Sequence, residues 1–167
     1  GSIKGSHATS GRPDCDGVQQ TARDGKTIDL GGLQVTPFTV PHYAREPMQL
    51  SCTDGSAKLG ILTDLGHATA HVLAHLQGCD AMLLECNHDT DLLEQSVYPP
   101  FLKRRVGGDY GHLSNDAAAD IARAGMHSGL KHLVAANLSQ KKNRPELARA
   151  AMATARGCKE NDMVVAE

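Results

Sequence analysis

The chain of 167 residues carries a formal charge of −2, with 17 Lys and Arg against 19 Asp and Glu, which excludes a global field that would gather nucleic acid or an anionic membrane. Forty per cent apolar residues suit a folded single domain, and with 3% aromatics and no Trp its core must be built from Leu, Val, Ile, Ala and Met. Five widely spaced cysteines without a Cys-x-x-Cys pair argue against a disulfide framework and for a reducing, cytoplasmic setting.

The start, "GSIKGSHATSG", has neither the basic nor the apolar part of a secretory leader, and no run anywhere approaches the length of a membrane span. Residues 1–11 read as a tag-like, disordered lead and 12–167 as the folded domain. "TIDLGGLQVTPFTV" alternates apolar and polar positions around Gly31 and Gly32, which predicts two short strands with His42 just past the second. "MQLSCTDGSAKLGILTDLG" predicts a hairpin turning at Thr53 to Ser56 and ending at Asp64.

The period then lengthens. Ala68, His71, Val72, His75 and Leu76 fall at helical spacing before Gly78. "DAMLLEC" is a buried strand, and "HDTDLLEQSV" a short helix capped by Asp89 or Thr90. "YPPFLKRRVGGDYGHLSN" is punctuated by Pro and Gly pairs and reads as an irregular surface connection with a short helix in its middle. A helix opened by Ser114 or Asn115, the strand "KHLVAANLS", a helix from Pro145 to before Gly157 and the strand "DMVVAE" complete the chain. The sum is an α/β fold: a mixed sheet with an antiparallel hairpin and covering helices.

His42, Asp64, His88 and Asn137 all fall at or just beyond the carboxyl ends of predicted strands, where open α/β sheets place their chemistry. Singly, each has a plainer reading. His42 could be a loop histidine, Asp64 the cap of the following helix, and His71 with His75 a surface pair lacking a third ligand.

Taken in order and spacing, "PFTVPH", "GILTDLGH", "LLECNHD", "YPPFLKRRVGGDYGHLSN" and "LVAANLSQKKNRPELA" resemble the metallo-β-lactamase-fold hydrolases, in particular their YycJ-like (WalJ-like) branch. The resemblance runs from about residue 26 to 158. It implies half of an αββα sandwich, the carboxyl-terminal half, and a hydrolase in which one or two Zn²⁺ or Mn²⁺ ions activate water against a phosphodiester, as in a nuclease or phosphodiesterase. It makes His42 a metal ligand, Asp64 a bridging and catalytic carboxylate, and His112 a catalytic residue, with Asn137 at the place of a last ligand. His67 and His88 are alternative ligands or groups that support ligands from behind. Lys103, Arg104, Arg105, Lys141, Lys142 and Arg144 are suited to phosphate oxygens, or else are solvated faces.

Two departures stand out. The leading His-x-His-x-Asp-His string of the family does not occur, and the strand that ends in "AHLS" in relatives reads "ANLS" here. An impaired or non-catalytic remnant is therefore the alternative expectation. Half a sandwich would bare an apolar sheet face, which predicts a homodimer or higher oligomer.

Overall fold

The computed structural model describes residues 21–166; the reading of residues 1–11 lies outside them. Seven strands form one sheet in which spatial order equals chain order: β1 (Ile28–Asp29), β2 (Gln34–Thr39), β3 (Met48–Thr53), β4 (Lys58–Leu62), β5 (Ala81–Glu85), β6 (His132–Ala136) and β7 (Val164–Val165). The first four pair antiparallel and the last four parallel. The β3–β4 turn is tied by Asp54, whose Oδ1 accepts from the amides of Ser56 and Ala57 at 2.8 Å each. Those amides, that of Ala57 foremost, hold the Asp54 carboxyl down at about 2.

The helices are α1 (Ala70–Leu76), α2 (Thr90–Glu94), α3 (Pro100–Val106), α4 (Asn115–Ala124) and α5 (Pro145–Arg156). Side-chain caps decide three of the starts. Thr69 accepts from the Val72 amide, Asp89 from that of Leu92 and Ser114 from that of Ala117. Asp64 is thus not the cap of α1, and Asp89 and Ser114 are chosen over Thr90 and Asn115. α5 begins on Pro145 and ends at Gly157, whose φ of 70° supplies the left-handed residue that closes a helix. The connection after Tyr98 is less irregular than its composition suggests, because Pro99 and Pro100 start α3 instead of blocking a helix.

The layering follows from the strand order. Parallel strands taken consecutively, each joined by a right-handed crossover, put their connecting helices on the same face of the sheet. Accordingly Val72, Leu76, Ile121, Ala122, Ala148 and Met152 pack with Leu62, Met82, Leu84, Leu133 and Ala135 in one core. The opposite face carries Leu50, Ile61, Leu83, Val134 and Val164 in register across five strands. These side chains are half-buried or exposed, Val164 to 58%. Among the described residues no helix is long and apolar enough to cross a membrane.

Candidate metal centre

Two antiparallel reversals return β2 to the direction of β4, so β2, β4, β5 and β6 all end at one edge of the sheet. His42 follows β2, Asp64 follows β4, Glu85 closes β5 and Asn137 follows β6. His112 arrives at the same edge on the loop between α3 and α4. One ligand atom from each of His42, Asp64 and His112 lies within 4.8 Å of the others.

Backbone contacts lock the three loops together. The Tyr43 amide donates to Tyr110 O, and the Gly66 amide to Pro41 O, at 2.9 Å each. A Cβ on Gly66 would meet the Asp109 backbone at 2.2 Å, and one on Gly111 would meet Val106 O at 2.1 Å, so both positions require glycine for close approach. His42 Nδ1 donates to Gly111 O at 2.9 Å. A carbonyl only accepts, so that bond puts the proton on Nδ1 and leaves the Nε2 lone pair free.

Glu85 is fully buried beneath this cluster. Its Oε2 accepts from the amides of Leu65 (3.3 Å) and Leu113 (3.1 Å), and its Oε1 from His112 Nδ1 (2.9 Å) and Asn137 Nδ2 (2.7 Å). Four donors compensate the burial of the carboxylate, which would otherwise be prohibitive. The hydrogen bond that His112 donates to Glu85, opposed by burial and helped by the charges of Glu85 and Asp64, pushes the His112 imidazole above its usual range. Asn137 also donates to Asp64 Oδ1 at 3.0 Å, presenting its amide nitrogen to both carboxylates.

The other sequence candidates are more scattered. His67 is exposed and bonds Asp109 O at 2.8 Å through Nδ1. His88 is 3% exposed and lines a cavity of about 510 Å³ that also touches His112, Lys103 and Arg104. Arg105 lies over the Tyr43 ring at 5.5 Å. Lys142 is buried, its ammonium 4.2 Å from the centre of the Tyr98 ring, so that charge is engaged inside the fold. Lys141 and Arg144 are exposed and do not line this cavity. Glu85 is a site residue that the sequence does not single out; its signal is an acidic residue inside the otherwise apolar "AMLLEC", which a buried strand can hold only if donors surround it. His71 bonds Asp24 at 3.0 Å and His75 stacks on Phe38, so that pair is structural.

The one-sided sheet, the covering helices and the polar groups gathered at the strand ends match the metallo-β-lactamase fold. The protein YhfI from Bacillus subtilis, which has that fold, superposes with a TM-score of 0.65 over 87% of this chain and 51% of its own, at 18% identity. Zn²⁺-bound PqqB from Methylobacterium extorquens does so with a TM-score of 0.61 over 89% and 53%, at 19% identity. Within that class the chain is a relative of the YycJ and WalJ proteins. It is 34% identical over 125 residues to Exodeoxyribonuclease YycJ of Bacillus anthracis, covering 75% of this chain and 47% of that protein. It is 30% identical over 128 residues to Exodeoxyribonuclease WalJ of Streptococcus pneumoniae, covering 77% and 48%. The chain thus spans about half the length of the curated relatives it matches. No protein-family model matches it.

Proposed function

We propose that this chain carries part of the centre of a metal-dependent phosphodiesterase acting on nucleic acid, with Zn²⁺ or Mn²⁺ as its ion. The observation that carries the reading is the convergence of His42, Asp64 and His112 above the buried Glu85. The His42 imidazole and the Asp64 carboxylate are donors suited to a first-row divalent ion that keeps open positions for water and substrate, and the His112 imidazole stands beside them. The names of the YycJ and WalJ relatives support nucleic acid as the substrate class.

In this reading His42 and Asp64 hold the ion, and Asn137 steadies Asp64 from the side. The ion would lower the pKa of a bound water and neutralise phosphate charge. In the hydrolysis, the water gives up a proton to the solvent, its oxygen bonds to phosphorus, the bond from phosphorus to the leaving sugar oxygen breaks, and that oxygen takes up a proton. His112, oriented by Glu85, is placed to supply it. The open sheet face supports self-association, since a second copy would cover the row from Leu50 to Val164.

Calorimetric titration with Zn²⁺ and with Mn²⁺, paired with cleavage of a labelled DNA oligonucleotide, tests the function. His42→Ala and Asp64→Ala should each weaken metal binding beyond the roughly 10–100-fold that loss of a merely supporting group causes. His112→Ala should abolish cleavage and leave the ion bound. Unchanged metal binding in both ligand variants would refute the assignment.

A further inference from the structure

The cavity beside the metal centre holds a buried group that the centre does not use. His88 Nδ1 is sealed from solvent and has no hydrogen-bond partner among the described residues. An unpaired buried N–H costs more than a bare lone pair, so the ring favours the tautomer with its proton on Nε2. Nε2 lies 3.6 Å from where a side chain at Gly107 would begin, in the wall of the cavity. Gly107 therefore keeps open the space in front of that donor.

Other donors line the same wall. Lys103, whose ammonium also donates to Glu94 O, Arg104 with its guanidinium and Thr90 with its hydroxyl line it. Ser114 Oγ accepts from the Ala117 amide, which leaves its O–H free to donate. Glu94 and Asp109 also line the cavity and offset the two cations in net charge. Converging hydrogen bonds, not long-range attraction, therefore decide what binds. A compact oxyanion with several acceptor oxygens fits that set, and an internal diester with two free oxygens fits it less well.

We propose that this cavity is a subsite for the terminal phosphate of the substrate strand, held by His88, Arg104, Lys103 and the hydroxyls of Thr90 and Ser114. The proposal rests on the nucleic-acid reading above and narrows it. His112 belongs both to the cavity wall and to the metal centre, so an end phosphate seated here puts a bond close to the strand end at the ion. Cleavage then proceeds from a phosphorylated end.

The test uses metal-free protein, which separates it from the cleavage assay. A deoxynucleoside monophosphate, the matching deoxynucleoside and inorganic phosphate are titrated while amide and imidazole resonances are followed. The monophosphate should shift His88, Thr90, Gly107 and Ser114, inorganic phosphate should displace it, and the deoxynucleoside should leave these signals in place. Arg104→Ala, at an exposed position, should weaken monophosphate binding about tenfold. Arg144→Ala, exposed and outside the cavity, should not. Equal binding of the deoxynucleoside, or equal losses in the two Arg variants, would overturn the subsite. Pocket binding without metal-dependent cleavage would keep the subsite and remove the nuclease reading. Cleavage with no pocket response and no preference for a phosphorylated end would do the reverse.

Discussion

Asp64 and Asn137 sit in the left-handed region, each with φ of 53°, and they face each other at 3.0 Å. Asp, Asn and His are the side chains most often found there after glycine, so position 137 can exchange amide for imidazole without a new backbone. Asn137→His should raise affinity for Zn²⁺ or Mn²⁺, because a nitrogen donor replaces an amide that now spends its N–H groups on two carboxylates. Calorimetry of both proteins decides; equal affinities would put residue 137 outside the reach of the ion. A second residue-level prediction concerns His75. Burial against Phe38, whose ring stacks on it at 4.4 Å, pushes its pKa below the usual 6.5, and the neighbouring His71 adds to the effect. Protonation then favours the unfolded chain, so this contribution to stability is full above about pH 6.5 and is lost as pH falls through the folded value. His88, also held low by burial, acts in the same direction, whereas His112, held high, acts oppositely. His75→Leu should therefore lose less Tm than the parent between pH 7.5 and 5.5, and parallel melting curves would refute this. The convergence of His42, Asp64 and His112 is legible in the sequence because the strings that hold them together resemble those of one family. Glu85 is not, since a carboxylate in a buried strand is explained only by donors arriving from residues 65, 112, 113 and 137.

At the level of elements, the site depends on loops that approach one another more closely than a Cβ permits. Gly111→Ala would drive a methyl group into Val106 O, now 2.1 Å from that position, at a cost of about 1–3 kcal/mol. Because Gly111 O also orients His42, the substitution should lower metal affinity along with Tm. A fall in Tm with metal binding intact would show that His42 does not need this loop. Most helices and strands were readable from periodicity and caps. The stretch from Tyr98 to Ser114 reads as mostly irregular because its Pro and Gly pairs are strong breakers. In the fold the prolines begin α3, and the glycines let the chain double back to deliver His112.

For the whole molecule, the helices on one face and the apolar row on the other predict association. Light scattering should give a mass of at least twice 17.7 kDa. Lysine at the exposed face positions, Leu50→Lys with Leu59→Lys, should return it to the monomer mass. A monodisperse 17.7 kDa parent would refute self-association. The bare face follows from the crossover rule once the strand order is known, but strand order is a long-range property that local patterns did not reveal. That order also bears on how the molecule is made. Each strand pairs with the one synthesised just before it, so every new segment leaving the ribosome meets a docking edge already in place. Each strand-to-strand addition then closes only the intervening segment, keeping the entropy of closure small at each step. Folding can keep pace with synthesis, and the groups around Glu85 come together only when residue 137 emerges, after most of the sheet has formed.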